Sequence, residues 1–278
     1  MEIFIVFSSP AGTTKKAACI IEKELIARGH SVAAYDLGSP SDAATVHTKI
    51  IAAPGDFCLI IGSPVYACHA VPPVTEFLAG LSETKRGYAV PYVTCGCVNS
   101  GLTLHEMGSM LAEKGYRIPG AAALPAEHSM LWQSGHPLGQ GRPDKADEAV
   151  LQKFIAAVSE KITSGTGAML DRTALNYQPG PVRETMQKLS LASVRNVLPA
   201  KAVDKKLCTK CGTCATLCPA GAITLSPYPV FGPSCFFCYS CVRLCPENAL
   251  VADFSLMENN LQQRSSAFNE KSTPRLFF

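Results

Sequence analysis

Eight of the thirteen cysteines in this chain fall into two runs with one spacing, Cys-x-x-Cys-x-x-Cys-x-x-x-Cys-Pro. The first run consists of Cys208, Cys211, Cys214 and Cys218, and the second consists of Cys235, Cys238, Cys241 and Cys245. Thiolates spaced in this way can wrap three corners of a cubane, so the runs predict two [4Fe–4S] clusters. Zinc and disulfides are poorer interpretations, because zinc usually takes two separated ligand pairs and disulfide frameworks are typical of small secreted proteins. The pattern therefore predicts a protein that carries electrons.

The fourth corner of each cluster needs a ligand from elsewhere, and in two-cluster proteins the fourth cysteine of each run binds the other cluster. The predicted ligand sets are Cys208, Cys211, Cys214 with Cys245, and Cys235, Cys238, Cys241 with Cys218. The two runs belong to an internal repeat, and each half ends in a short apolar stretch. The segment from Lys201 to Ala252 resembles a bacterial two-cluster ferredoxin, and this resemblance implies a small α+β domain.

The N-terminal region alternates short apolar runs with amphipathic segments. Strands are predicted at residues 3–7, 31–35, 57–61, 88–94 and 121–125, and helices at residues 14–28, 72–81, 102–114 and 143–162. Strands that alternate with helices predict an α/β fold, in which a parallel sheet has right-handed crossovers. Five strands fit the doubly wound order 2-1-3-4-5, which places a ligand at the carboxyl ends of strands 1 and 3.

The loop after the first predicted strand is rich in hydroxyl groups. Ser8, Ser9, Thr13 and Thr14 supply them, and Gly12 lets the backbone turn. The following helix adds free N–H groups and a favourable dipole, so the loop suits a terminal phosphate. It matches neither the glycine-rich turn that binds dinucleotides nor a P-loop. Many strand–helix turns are rich in Ser and Gly, so this loop alone leaves an ordinary turn open.

Two further loops lie at the same edge of the predicted sheet, GSPVYACHAVPP after the third strand and TCGCVNSGL after the fourth. With the first loop they resemble the ligand loops of flavodoxins, over roughly residues 1–163, and this resemblance implies FMN as the ligand. It implies phosphate contacts from Ser8, Ser9, Ala11, Gly12, Thr13 and Thr14. It implies ring contacts from Ser63, Pro64, Val65, Tyr66, Ala67, Thr94, Cys95, Gly96 and Asn99. The alternative for Tyr66, the expected aromatic neighbour, is a partly buried tyrosine with a satisfied hydroxyl.

The order of the two units resembles the flavodoxin–ferredoxin fusion proteins of anaerobes. The predicted division is a flavodoxin-like FMN-binding domain at 1–165, a linker with a bridging helix at 166–200, a two-cluster ferredoxin domain at 201–252 and a tail at 253–278. Apolar Met186, Leu189, Val194 and Val197 suggest the helix, and a simple packed linker also fits them. The polar tail predicts either disorder or a segment that lies across the protein or a partner.

Charge and hydropathy exclude several classes of function. The formal net charge is +3, and two oxidised clusters with a flavin phosphate would bring it to about −3. No run of Lys and Arg indicates nucleic-acid binding, no apolar run is long enough for a membrane span, and the N-terminus does not read as a signal peptide. The many cysteines predict a reducing cytoplasm, as in an anaerobe.

Several residues near the predicted ligand edge invite a catalytic interpretation. Cys95 and Cys97 suggest a redox switch, but small buried thiols are common at strand ends. His69 and His128 are the candidates for a proton donor, and a solvent-facing loop histidine is the more ordinary interpretation of His69. Trp132, the single tryptophan, either covers the flavin or packs its loop. We assign no catalytic residue.

The predicted function is an electron-transfer iron–sulfur flavoprotein that relays electrons between two [4Fe–4S] clusters and FMN and so interconverts one- and two-electron traffic. The main alternative is an FMN-dependent reductase of a quinone, nitro compound or disulfide, fed by the clusters. Further alternatives are a redox sensor and a subunit that delivers electrons to a larger reductase. The predicted partners are redox proteins, and a homodimer and a larger complex are both compatible with the sequence.

Overall fold

The computed structural model describes residues 1–270 and 272–278. The strands are β1 (Glu2–Phe7), β2 (Ser31–Asp36), β3 (Phe57–Tyr66), β4 (His69–Ala70), β5 (Gly87–Cys95), β6 (Ala121–Pro125), β7 (Ala202–Val203), β8 (Ile223–Leu225), β9 (Pro229–Phe231), β10 (Leu250–Val251) and β11 (Arg275–Phe277). The helices are α1 (Thr13–Ala27), α2 (Pro40–Ile51), α3 (Pro72–Gly80), α4 (Thr103–Glu113), α5 (Lys145–Ser164), α6 (Gly180–Gln187), α7 (Leu191–Val194), α8 (Thr213–Thr216), α9 (Ser240–Arg243) and α10 (Ser255–Phe268). A 3-10 turn covers Arg172–Leu175. Within these residues no helix has both the length and the apolar character needed to cross a membrane.

Five parallel strands form the central sheet in the spatial order β2-β1-β3-β5-β6. All five predicted strands are present, and this order confirms the doubly wound arrangement. The central strands are almost wholly apolar because helices cover both faces of the sheet. One core, which includes Leu59 and Met107, lies on one face, and a second, which includes Ile5 and Phe154, lies on the other.

Some connecting elements differ from the sequence-based expectation. The helix α2 was not predicted, because only Val46 and Ile50 of its residues are buried and its apolar stripe is correspondingly narrow. The short strand β4 folds back antiparallel on the end of β3. The linker contains two short helices, α6 and α7, instead of one bridging helix.

The C-terminal tail folds back onto the N-terminal domain. Strand β11 pairs antiparallel with β6, and Phe277 lies opposite Ala121. This pairing covers the edge of β6, which would otherwise present unpaired backbone groups. Helix α10 lies between the cysteine-rich segment and β11, and Leu261 is its buried residue. The tail therefore lies across the protein, which was one of the two predicted alternatives.

The cysteine-rich segment forms a small unit of two antiparallel strand pairs, β7 with β10 and β8 with β9, together with the short helices α8 and α9. Each helix begins after a residue with left-handed backbone geometry, Gly212 at φ 81° and Tyr239 at φ 55°. A small apolar core contains Ile223, Val242 and Leu250. The repeat seen in the sequence is therefore a repeat of structure.

Candidate functional site

The loop between β1 and α1, here called the β1–α1 loop (residues 8–14), lies at the carboxyl edge of the sheet. Gly12 has a φ of 90°, which permits the turn into the helix. The Ser9 Oγ accepts a hydrogen bond from a backbone N–H of α1 at 2.8 Å, and Thr14 Oγ1 is 2.8 Å from Thr94 Oγ1. The Ser8 Oγ is buried without a hydrogen-bond partner among the described residues. A buried hydroxyl in that state is costly unless a ligand completes it, so the loop suits an oxygen-rich group.

The lining of a small cavity beside this loop includes three basic side chains, Lys16, Arg142 and Arg243, and one carboxylate, Glu127. The basic side chains come from α1, from the segment before α5 and from α9, and Arg142 is also paired with Asp147. Basic side chains next to a helix N-terminus favour a phosphate. Sequence reasoning missed these three residues because they are far apart in the chain and form no motif.

A larger cavity of about 370 Å³ adjoins the first, and the two share His128 and Ser129. We call the larger one the ring cavity. The predicted ring contacts that line it are Val65, Tyr66, Ala67, Gly96 and Asn99. An elongated ligand with a phosphate at one end and a planar, largely apolar ring at the other matches this pair of cavities.

The remaining predicted ring contacts are engaged within the protein. The Ser63 Oγ donates to the Pro64 carbonyl at 2.8 Å, and Thr94 hydrogen-bonds to the β1–α1 loop. The Cys95 Sγ lies 3.5 Å from a carbonyl of β6, and burial raises the pKa of its thiol. Burial also raises the pKa of the Cys97 thiol, which disfavours the reactive thiolate at both positions. The structure therefore places these side chains behind the cavity wall.

The ring cavity is also lined by segments from outside the sheet domain. These are the linker (Leu189, Leu191, Val194, Val197, Leu198), the second cysteine run (Phe236, Phe237) and α10 (Leu256, Met257, Asn260, Leu261, Arg264). The ring centroids of Tyr66 and Phe236 are 6.1 Å apart. The Tyr66 hydroxyl is buried near the Ser129 side chain, without a hydrogen bond of good geometry among the described residues. Burial raises its pKa. The cavity thus lies where four parts of the chain meet.

The cysteines divide into the two crossed groups. Four of them line one small cavity, namely Cys208, Cys211, Cys214 and Cys245. In the other group, burial raises the pKa of the Cys238 thiol, and the nearby thiols of Cys218 and Cys235 raise it further. Burial and these neighbours raise the pKa of Cys241 to about 12. Within the described residues no three ligating side chains converge as they would on one metal ion, whereas the thiolates of a cubane bind four different irons.

Helix α9 docks the cysteine-rich unit onto the β1–α1 loop. The Ser240 Oγ and the Arg243 Nη1 both donate to the Pro10 carbonyl, at 2.8 and 3.2 Å. The Arg243 Nη2 donates to the Ser129 carbonyl at 2.5 Å. The same guanidinium lies 4.5 Å from the centre of the Trp132 ring, which packs there and does not line the ring cavity.

The two candidate proton donors have other roles in this arrangement. The His69 Nδ1 lies 2.5 Å from a Glu106 oxygen, and its Nε2 lies 2.8 Å from the Leu189 carbonyl. Both ring nitrogens donate, and the hydrogen bond to Glu106 raises the pKa of His69. The His128 Nδ1 accepts from the Met130 N–H at 3.3 Å, and burial lowers its pKa to about 4. His69 therefore ties the linker to the sheet domain, and His128 is neutral.

Comparison with protein families identifies the C-terminal unit. The model of the 4Fe-4S binding domain family matches residues 201–224, which contain the first cysteine run. The sheet order of the N-terminal domain is that of flavodoxins. The chain therefore joins a domain with the sheet order of flavodoxins to a unit that contains a 4Fe-4S binding segment. The family match indicates a [4Fe–4S] cluster in this C-terminal unit.

Several solved structures are similar to the N-terminal domain over somewhat more than half of the chain. Rubredoxin oxygen:oxidoreductase from Desulfovibrio gigas is 18% identical with a TM-score of 0.45, over 59% of this chain and 36% of that one. The Flv1 flavodiiron core from Synechocystis is 15% identical with a TM-score of 0.46, over 60% and 37%. Oxidised flavodoxin 1 from Bacillus cereus is 14% identical with a TM-score of 0.44, over 58% and 98%. This chain thus spans little more than a third of the first two proteins, and no curated protein matched it.

Proposed function

We propose that this fusion relays electrons between two [4Fe–4S] clusters and FMN, and so connects one-electron carriers to a two-electron cofactor. One observation carries the proposal. Phe236 and Phe237, which lie between Cys235 and Cys238, line the same cavity as Tyr66 and the other predicted FMN contacts. A single layer of aromatic side chains would therefore separate this cluster from the flavin.

The residues of the two cavities fit FMN along its length. The β1–α1 loop would hold the phosphate together with Lys16, Arg142 and Arg243, and the Ser8 Oγ would gain the hydrogen-bond partner that it lacks. The loops after β3 and β5 would hold the ring, with Tyr66 against it. When bound, FMN supplies the exchange of one or two electrons, whereas a [4Fe–4S] cluster exchanges one.

We name the two cysteine groups the outer cluster site (Cys208, Cys211, Cys214, Cys245) and the inner cluster site (Cys218, Cys235, Cys238, Cys241). The thiolates would hold the irons, and backbone N–H groups donate to the sulfurs of Cys218 and Cys245, both at 3.3 Å. Such bonds tune cluster potentials. Cys211 at the outer site is exposed, so a redox protein partner would exchange electrons there.

The geometry favours this relay over a self-contained reductase of a quinone, nitro compound or disulfide. A reductase needs a proton donor beside the flavin. His69 is committed to Glu106 and the linker, and His128 is neutral because burial lowers its pKa to about 4. The linker and α10 also line the ring cavity and so reduce the space left for a substrate beside the flavin.

Anaerobic mixing of the reconstituted protein with reduced ferredoxin and, separately, with NAD(P)H tests the proposal. Cluster and flavin absorbance should both bleach rapidly with the one-electron donor, and NAD(P)H should bleach the flavin slowly. Rapid bleaching by NAD(P)H would instead support the reductase. Failure of the reconstituted protein to retain FMN would reject the flavin part of the proposal.

Single cysteine variants test the crossed ligand sets. Cys245→Ser should remove the outer cluster and Cys218→Ser the inner one, so each should lower the iron content from about eight to about four per chain. The electron paramagnetic resonance spectrum of each variant should retain a different cluster signal. Cys19→Ser is the matched control, because Cys19 is exposed on α1. If Cys245→Ser and Cys218→Ser remove the same cluster, the crossed assignment is wrong.

A further inference from the structure

We infer that the C-terminal helix α10 is part of the flavin site and that Arg264 binds the pyrimidine end of the flavin ring. The inference rests on the proposed function. Five residues of α10 line the ring cavity, and Arg264 is one of them. It is the only lysine or arginine among the described residues that line this cavity. The helix lies outside both the flavodoxin domain and the ferredoxin unit, so neither motif assigns it a role.

The position of Arg264 indicates which end of the ring it would meet. Burial raises the pKa of the Cys68 thiol, and the adjacent Arg264 guanidinium opposes that effect. The Cys68 Sγ in turn lies 3.6 Å from the Asn99 Oδ1. Arg264, Cys68 and Asn99 thus lie close together, and all three line the ring cavity. Asn99 belongs to the loop expected at the pyrimidine edge, so Arg264 faces that edge too.

Arg264 contacts the Cys68 side chain but has no carboxylate partner among the described residues. None of the ion pairs found among the described residues includes it. Its guanidinium is only loosely placed over the Phe268 ring, at 5.7 Å from the centroid. A guanidinium that lines a largely apolar cavity without a carboxylate partner favours a ligand that carries negative charge.

The tail holds α10 in a defined place over the cavity. The Ser265 Oγ donates to the Cys97 carbonyl at 2.7 Å, and the Ser100 N–H donates to Glu270 at 2.8 Å. Strand β11 then pairs with β6 beyond these contacts. The two hydrogen bonds flank the loop that carries Asn99, so α10 and this loop form one wall of the cavity.

The charge of Arg264 has a predictable consequence. Two-electron reduction of FMN at neutral pH leaves negative charge at the pyrimidine side of the ring, and a nearby fixed cation stabilises that form more than the oxidised form. Arg264 should therefore bind reduced FMN more tightly than oxidised FMN and raise the two-electron potential.

Titration of the flavin-free, cluster-loaded protein with oxidised and with reduced FMN tests this inference without an activity assay. Arg264→Gln should lower the ratio of the two affinities about tenfold, which equals a fall of about 30 mV in the two-electron potential. Arg264→Lys should retain most of the ratio. Arg275→Gln is the control, because Arg275 lies in the same tail and stacks on Tyr177 away from the ring cavity.

The outcomes separate this inference from the proposed function. An unchanged affinity ratio in Arg264→Gln, with wild-type cluster spectra and melting temperature, overturns the role of Arg264 and leaves the proposed function intact. A wild-type protein that does not bind FMN overturns both. Equal losses in Arg264→Gln and Arg275→Gln would show an effect of tail folding and would also overturn the role of Arg264.

Discussion

Three buried hydroxyls, those of Ser8, Tyr66 and Thr103, lack hydrogen-bond partners among the described residues. Ser8 belongs to the β1–α1 loop and Tyr66 lines the ring cavity, so two of the three belong to the proposed FMN site. Most buried polar atoms in proteins are satisfied, so unsatisfied ones at a cavity point to a missing ligand. Gly96 is required for packing within the protein, because an added Cβ there would come within 2.5 Å of the His128 ring. At this scale the unsatisfied hydroxyls are the features that point to a ligand.

Substitution of Ser8 and of Ser9 by alanine should change the stability of the flavin-free protein in opposite directions. Ser8→Ala should stabilise the flavin-free protein by about 1 kcal/mol, because it removes an unsatisfied hydroxyl, and it should reduce the rise in melting temperature that FMN causes. Ser9→Ala should destabilise the flavin-free protein by about 1 kcal/mol, because it removes the hydrogen bond to α1. Thermal unfolding with and without FMN measures both effects. A flavin-free Ser8→Ala variant that is clearly less stable than wild type would contradict this account.

The linker and the tail are the elements that convert two separate domains into one site. The linker reaches the sheet domain through His69, and the tail reaches it through β11. Residues of the linker and of helix α10, which belongs to the tail, also line the ring cavity. The docking of the linker and of the tail onto the sheet domain should therefore respond to pH and to substitutions that leave the two domain cores unchanged.

Docking of the linker should depend on pH through His69. The hydrogen bond to Glu106 raises the pKa of His69 in the folded protein above the unfolded value of about 6.5. Protonated His69 therefore stabilises the docked linker fully at pH values below about 6.5. This stabilisation is lost as the pH rises through the raised pKa of the folded protein. Hydrogen exchange of the amides around Leu189 should accordingly become faster above that pH, beyond the intrinsic pH effect. His69→Asn should remove this dependence. If the protection of these amides from hydrogen exchange in the wild-type protein did not change with pH, the proposed role of His69 would be wrong.

Docking of the tail should depend on Phe277. Its ring packs on the core and lies 5.2 Å from the centre of the Tyr177 ring. Phe277→Ala should lower the free energy of unfolding by about 2 kcal/mol, less than for a fully buried phenylalanine because Phe277 is partly exposed. Phe278→Ala is the matched comparison, and it should cost less than about 1 kcal/mol because Phe278 is 56% exposed. Denaturant titration distinguishes these values, and equal losses would argue against the packing described here.

At the scale of the whole molecule, α9 sets the distance between the ferredoxin unit and the flavodoxin domain. Its Arg243 bridges the Pro10 carbonyl, the Ser129 carbonyl and the Trp132 ring. All three partners belong to the flavodoxin domain, and they lie at the phosphate end of the proposed FMN site. The inner cluster site and the ring cavity are adjacent because of this contact.

Arg243→Ala should weaken the docking of the ferredoxin unit onto the flavodoxin domain by about 2 kcal/mol, because hydrogen bonds from a charged group are lost. Flavin reduction by the clusters should then be slower by about tenfold or more. Stopped-flow reduction with a one-electron donor gives this rate, while iron content should remain at the wild-type value. Lys206→Ala provides a control on the exposed surface of the ferredoxin unit. Wild-type flavin reduction in Arg243→Ala would show that the docked arrangement is not the one that transfers electrons.

The amino-acid sequence by itself determined the features that depend on neighbours along the chain. The cysteine spacing predicted the [4Fe–4S] unit, and the apolar runs at residues 3–7 and 57–61 predicted buried strands of a doubly wound sheet, because spacing and periodicity are local properties. The same reasoning missed α2, whose narrow apolar stripe carries little of that local signal.

Only the tertiary structure decided how the two cofactor regions meet. The contact of Phe236 with Tyr66, the bond from Arg243 to Pro10 and the position of Arg264 in the ring cavity each join segments far apart in the chain. Such contacts arise when separately folded units dock, and their energy comes from surface complementarity that no local pattern records. For the same reason, the residues that close the proposed flavin site came from the linker and the tail, where the sequence showed no functional motif.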